Sequence, residues 1–383
     1  MTLAEIRHDL HAHPQVRFEE TYASALVQKE LTELGIEFRA GLARGTGVLG
    51  YLPATTDPAS APTIALRADM DALPIHEETG LPYASTIPNR MHACGHDGHT
   101  TILIGVAREL ASTAHRPNNV LFVFQPAEEG GGGGNLMVQE GCLNGSLLGK
   151  KADFMFGLHG WSTVKLGHVA TKIGSMMAST DDLWIEFHGQ GGHAAAPETT
   201  KDPVVAIANL ILALQTITSR NVDPFDNGVV TVGQVHSGTT HNIIPMMAMV
   251  QGTIRAMNEE TRDLLCERVR TIAQGIADAH QMRADIKVER GYPVVVNNPI
   301  AVERFLKVAR EQLGDEFVSD QAKPTMGGED FAYYGAECPS CFYQLGLIPE
   351  GRDKYESVHT PVFNFNDDAI ATGVKVMVGL ALS

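Results

Sequence analysis

Residue types able to do chemistry gather in four short segments and one late one. Arg67-Ala-Asp69-Met-Asp71, Met91-His-Ala-Cys-Gly-His-Asp-Gly-His99, Gln125-Pro-Ala-Glu128-Glu129 and Gly157-Leu-His159 are followed much later by His359-Thr-Pro. They bring together a thiol, imidazoles and carboxylates: Cys94, His96, Glu129, His159 and His359. Mixed S, N and O donors suit borderline divalent ions such as Zn²⁺, Mn²⁺, Co²⁺ or Ni²⁺ rather than Mg²⁺ or Ca²⁺. Five donors exceed one tetrahedral site, and a pair of ions about 3.5–4 Å apart would use them all. Glu128 and Glu129 are adjacent, and neighbouring side chains in an extended loop diverge. One would bind an ion, and the other would stand over a water as general base. Water attack on an amide also needs a group that stabilises the oxyanion.

Taken singly, each feature has a plainer reading. A lone cysteine is usually a small buried hydrophobe, a lone histidine a solvated or core residue, and a Glu pair a solvated loop. The run Gly130–Gly134 suggests a phosphate loop, but no Gly-Lys-[Ser/Thr] follows it. Cys338-Pro-Ser-Cys341 has no second such pair and reads as incidental. His8, His11 and His13 read as structural or surface groups. His92, His99 and Asp69 flank the strongest segments and read as partners that orient ligands, with Asp69 alternatively pairing with Arg67.

The elements that must position these residues follow from hydrophobic period and punctuation. Helices are expected from Leu3 towards Pro14, over Thr21–Leu34, Thr100–Leu110 and Asn135–Glu140, and short apolar strands over Thr63–Arg67, Asn119–Phe124 and Asp153–Leu158. Near-continuous apolar strands alternating with helices imply an α/β fold with a mostly parallel sheet covered on both faces. In such sheets the ligand crevice lies beyond the carboxyl ends of the strands, where all these segments fall. The pattern then changes. Leu183, Ile185 and Phe187 alternate with polar residues, and the order strand, helix Pro203–Thr218, strands Gly228–Val235 and Met247–Arg255, helix Glu259–His280, strand Asp285–Glu289 is a split βαβ arrangement. This predicts an inserted domain over 179–290 within a catalytic, metal-binding domain made of 1–178 and 291–383. The α/β pattern resumes with helix Ile300–Leu313, strand Cys341–Leu345 and helix Asp368–Leu382.

Composition narrows the function. The chain has 383 residues, with 44% hydrophobic and 19% charged, as in ordinary globular proteins. Lys+Arg 29 against Asp+Glu 45 gives a net charge of −16, which disfavours nucleic acid and anionic membrane as partners. No apolar run near 18 residues is expected, hence no membrane-spanning helix, and the N-terminal stretch lacks a signal-peptide apolar region. Five scattered cysteines point to reduced thiols and a cytoplasmic location.

The segments RADMDALPI, MHACGHDGHT, FQPAEEG, GLHG, GQGGHAAAP, MGGEDFAYY and HTPVFNFNDDA together resemble the M20 metallo-amidohydrolases, closest to the hippurate hydrolase, N-acyl-amino-acid amidohydrolase and auxin-conjugate hydrolase branch. The resemblance covers nearly the whole chain. It implies a di-metal α/β hydrolase domain interrupted by a ferredoxin-like lid and dimerisation domain. Two divalent transition-metal ions would be held by Cys94, His96, Glu129, His159 and His359, with Glu128 as general base. Related branches carry a His ligand where this chain has Arg67, so Cys94 and His96 would take over metal binding. The resemblance also makes His193 the oxyanion-stabilising histidine, often reaching the partner subunit's site, Asn242 a substrate contact, and Arg255 the anchor of the substrate carboxylate. A guanidinium fork suits that last task. The sequence departs from the family pattern at residues 13–18 and 244–249, where acyl preference is left open. The implied reaction is hydrolysis of the amide of a small N-acyl amino acid by a homodimer or homotetramer. A dipeptidase or aminopeptidase of the same family is the alternative, and a non-catalytic binder or a nucleotide-binding protein are the competitors from other classes.

Overall fold

Apolar, β-branched and aromatic runs become the central strands of a computed structural model that describes residues 1–383. An eight-stranded mixed sheet runs in the order Glu37–Leu42, Gly47–Leu52, Asn119–Gln125, Thr63–Asp69, Phe154–Lys165, Ser340–Ile348, Val169–Ala170, Val318–Ser319. The four inner strands, from Asn119–Gln125 to Ser340–Ile348, are mutually parallel. Thr63–Asp69, Asn119–Gln125 and Ser340–Ile348 are buried along their whole length, which is why they lack alternation. Helices His96–Ser112 and Ala369–Leu382 pack on each other and on this sheet. Ile102, Leu103, Val106, Val120, Phe122, Phe156, Tyr343 and Val376 lie in one continuous core.

The short strands Val169–Ala170 and Val318–Ser319 were not expected, and two further differences matter more. The hairpin Glu37–Leu42/Gly47–Leu52 went unpredicted because its outer strand is largely exposed and its inner strand contains glycines. The helix expected to open at Thr100 begins at His96. Gly95, at φ 87°, turns the chain into it, and a Cβ there would come within 2.9 Å of the Phe365 ring. His96 and His99 therefore sit on the rigid first turn of a helix rather than on a preceding loop.

The chain divides into two compact units, Met1–Met176 with Val296–Lys323 and Asp330–Ser383, and Met177–Val295 with Pro324–Glu329. The return segment joins the second unit through Ala178 N–H, which donates to the carbonyls of Thr325 and Gly327. This unit has an antiparallel sheet in the order Gly228–Ser237, Met247–Ala256, Asp181–His188, Arg283–Arg290. Helices Pro203–Arg220 and Glu259–Ala279 cover one face. Arg262 fixes the start of Asp181–His188 through Asp181 at 2.6 Å, with both side chains buried.

Pro203–Arg220 corrects one expectation, since by length and composition alone it could cross a membrane. Its buried residues Ala206, Ile207, Leu210, Leu214 and Ile217 recur at helical spacing and pack into this unit's core. Its apolar character thus has a packing role.

Candidate metal and catalytic site

The predicted donors converge at the carboxyl ends of the parallel strands. Cys94 Sγ lies 3.3 Å from His159 Nε2, and His359 Nε2 lies 3.1 Å from Glu129 Oε1. Donor atoms of Cys94, His96 and His159 lie within 4.8 Å of one another, and the same holds for Cys94, Glu129 and His359 and for His96, Glu128 and Glu129. The adjacent glutamates therefore do not diverge. Ala127 at φ 54° and Gly130 at φ 84° curl their loop so that both carboxylates reach the His96 side.

Hydrogen bonds fix which imidazole nitrogen is free. His159 Nδ1 donates to the Gly160 carbonyl at 2.8 Å, which leaves the Nε2 lone pair facing Cys94. His96 Nδ1 contacts Asp71 Oδ1 at 3.2 Å, and its buried Nε2 finds no hydrogen-bond partner. His99 Nδ1 donates to Asp69 Oδ1 at 2.7 Å, while its Nε2 accepts from Gly160 N–H. His359, at φ 62°, is held by its backbone N–H on the Ala93 carbonyl.

The electrostatics call for a cation. Burial pulls His96 down, but Asp69, Asp71 and Glu129 outweigh it and push it up to about 10. Burial pushes the Cys94 thiol well up, and Glu129, Glu128 and Asp69 push it further. Burial lowers His159 well below the ordinary imidazole range, with His99 adding to the effect. A neutral His159 imidazole, a buried His96 Nε2 without a hydrogen bond and 3.5 Å from Asp69 Oδ2, and a buried Glu129 oxygen without hydrogen-bond geometry are what a transition-metal ion would satisfy, displacing the proton that the surrounding carboxylates hold on His96. The donor set fits such ions.

Arg67 is fully buried. It donates to Asp69 at 2.7 Å, Gln125 at 2.9 Å and Asp330 at 3.1 Å. Its guanidinium is thus committed to carboxylates and an amide, as a fixed internal cation. Asp69 both pairs with Arg67 and orients His99, so the two readings of that residue hold together.

In the second unit, His193 and Asn242 come together. Gly192–His193 pairs with Ile243–Ile244, and Ala194 N–H donates to the Asn242 carbonyl at 3.1 Å. Both side chains are exposed. Arg255 sits near the far end of strand Met247–Ala256, about 27 Å from Met247 by strand rise. It donates to the Thr253 hydroxyl and the Ile254 carbonyl. The structure therefore does not bring Arg255 to His193 within this unit.

Sequence reasoning left two positioning residues without a role. Asp71 contacts His96 Nδ1 with one oxygen and accepts from Glu129 N–H at 2.9 Å with the other. The Asp69-x-Asp71 spacing was its only signal. Asp330 accepts from Arg67, Gln125 and Gly134 across long sequence separations that no local pattern announces.

The chain is similar to known proteins in sequence and in fold. Residues 65–383 match the model of peptidase family M20/M25/M40. A hippurate hydrolase from Campylobacter jejuni is 40% identical, with 99% of this chain and 95% of that one covered. An IAA-amino acid hydrolase ILR1-like 2 from Arabidopsis thaliana is 38% identical, with 99% and 84% covered. The crystal structure of the Bacillus subtilis YXEP protein, described as a dinuclear metal binding peptidase from the M20 family, superposes with a TM-score of 0.83 at 33% identity, covering 99% and 96%. With most of its length matched by the family model and a shared fold, the chain belongs to the M20/M25/M40 peptidase family.

Proposed function

We propose that this chain is a metal-dependent amidohydrolase that cleaves the amide of N-acyl amino acids, releasing a carboxylic acid and a free amino acid. One observation carries the reading: five mixed donors converge, and a second, buried glutamate, Glu128, lies close to two of them, His96 and Glu129. Relatives named for hydrolysis of hippurate and of IAA-amino acids support the substrate class, and the dipeptidase alternative has less support. The triads Cys94–His96–His159 and Cys94–Glu129–His359 share Cys94, which suits two adjacent divalent ions from among Mn²⁺, Zn²⁺, Co²⁺ and Ni²⁺. When bound, such ions polarise an amide carbonyl and lower the pKa of water.

The remaining chemistry belongs to the protein. Glu128 takes the proton of the attacking water and passes it to the leaving amine. Arg255 holds the substrate carboxylate through its guanidinium fork, and Asn242, which stands next to His193, contacts the substrate. His193 donates a hydrogen bond to the developing oxyanion. Because His193 and Arg255 lie at opposite ends of the insert, a small substrate touching both would draw them from two copies of the chain. This supports a homodimer in which the insert serves as lid and interface. The five cysteines are all unpaired and buried, in keeping with a reducing cytoplasm.

The test is hydrolysis of benzoyl-, acetyl- and longer acyl-amino acids after chelation and re-addition of each metal. Glu128→Gln should lower kcat by about a thousandfold or more with metal content intact. Metal loss in that variant, or no release of amino acid by metal-replete wild type, would sink the assignment.

A further inference from the structure

Two features of the sequence stand outside the reaction, the glycine run Gly130–Gly134 and the unusual stretch before Glu20. They meet in the fold. Glu20 is fully buried yet belongs to no ion pair. It stands at the N-cap position just before helix Thr21–Glu33, yet its side chain makes no capping hydrogen bond. Instead its Oε1 accepts from Phe18 N–H at 2.8 Å and from Ala127 N–H at 3.0 Å, and its Oε2 accepts from the Thr46 hydroxyl at 2.7 Å. Phe18 and Ala127 are both non-glycine residues at positive φ, 65° and 54°. Such backbone is strained and persists only where its surroundings hold it. A single carboxylate oxygen holds both.

The contact is tight on the glycine side as well. A Cβ on Gly131 would lie 2.6 Å from the Ala127 Cβ and 3.0 Å from the Phe18 ring, and one on Gly130 would lie 2.8 Å from Arg17 Nη1. A Cβ on Gly133 would sit 1.7 Å from the Pro126 carbonyl oxygen. Arg17 reaches over the same loop towards the carbonyls of Glu129 and Gly130. The glycines are therefore there for close backbone approach, not for phosphate.

We propose that Glu20 is a positioning residue for the general base, and that Arg17–Glu20 is a clamp setting the curl of the Ala127–Gly131 loop and so the aim of Glu128. The inference rests on the reading of Glu128 as base. Burial pushes Glu20 up to about 7, against the Thr46 hydrogen bond and with Asp71 adding to it. A neutral isostere thus fits the same place. Gln keeps an oxygen for Phe18 and Ala127, and its amide can donate to a rotated Thr46 hydroxyl.

The experiment compares Glu20→Ala, Glu20→Gln, Gly131→Ala and Glu128→Gln in metal-replete protein, reading kcat, KM and metal stoichiometry. Glu20→Ala should lower kcat about 10- to 100-fold, the scale of a misplaced catalytic group, with KM within about threefold and metal content unchanged. Glu20→Gln should recover most of the loss. Gly131→Ala keeps the carboxylate but displaces the loop, should lower kcat likewise, and decides the matter if Glu20→Ala does not fold. Wild-type kcat in Glu20→Ala or Gly131→Ala overturns the clamp. So does metal loss in step with kcat, or a Glu20→Gln as impaired as Glu20→Ala. If Glu128→Gln keeps turnover, the base reading fails and the clamp with it; if Glu128→Gln is dead while Glu20→Ala is not impaired, only the clamp fails.

Discussion

Asp71 shows how one side chain couples two functions. Its carboxylate contacts the His96 ring with one oxygen and the Glu129 backbone with the other. This commits His96 Nδ1, leaves Nε2 without a hydrogen bond as the candidate ligand atom, and places Glu129 beside it. Asn can supply only one acceptor oxygen, and its NH₂ would oppose an N–H on whichever side it faced. Asp71→Asn should therefore weaken metal affinity about 10- to 100-fold, as loss of a ligand-orienting partner does. Chelator competition on folded protein measures this, and an unchanged affinity would refute the role. The donors themselves were legible in sequence because their types are chemically distinctive. Their supports were less so, because Asp71, Glu20 and Asp330 are ordinary carboxylates whose partners lie far along the chain.

Helix Leu3–Ala12 braces the helix that carries His96. Arg7 and His11, four residues apart and so on one face, are both fully buried. His11 contacts Asp97 at 2.7 Å and Glu77 at 3.1 Å, while Arg7 reaches Asp97, Asn364 and Asp367. Burial pulls His11 down, but Asp97 and Glu77 prevail and push it up to about 9. The folded state thus holds this proton more tightly than the unfolded chain, whose His titrates near 6.5. The resulting stabilisation, on the order of 3 kcal/mol, is complete below about pH 6.5 and is lost as pH rises through about 9. Asp97 is shifted down and stays ionised throughout this window, so it adds no slope. Thermal melts should show Tm falling between pH 7 and 9.5, and falling less in His11→Gln; equal slopes would rule out His11 as the source. The sequence gives helix Leu3–Ala12 by its apolar spacing. It leaves His8, His11 and His13 undivided, because only packing separates buried His11 from His8 and His13, which stack on Tyr83 and Tyr22. The sheet's largely apolar inner strands were readable for a related reason, burial on both faces, whereas its exposed edge hairpin carried no such signal.

At the scale of the whole molecule, the insert sets His193 and Arg255 apart along one strand direction, with Arg255 about 27 Å beyond Met247. If both serve one substrate, they come from different copies, and in the dimer proposed above each site takes Glu128 from one copy and His193 from the other. Reciprocal contributions of this kind follow from an isologous assembly. They also make the dimer testable by function. Either His193→Ala or Glu128→Gln alone should disable every site of its homodimer. In a heterodimer isolated through two different tags, the copy bearing His193→Ala keeps its own Glu128 and receives His193 from its partner. One of the two sites is then whole, and the heterodimer should recover about half the wild-type activity. Were His193 to serve its own copy, one site would lack the histidine and the other the base. The isolated heterodimer would then be as inactive as either parent, and the shared-site arrangement would have to be abandoned.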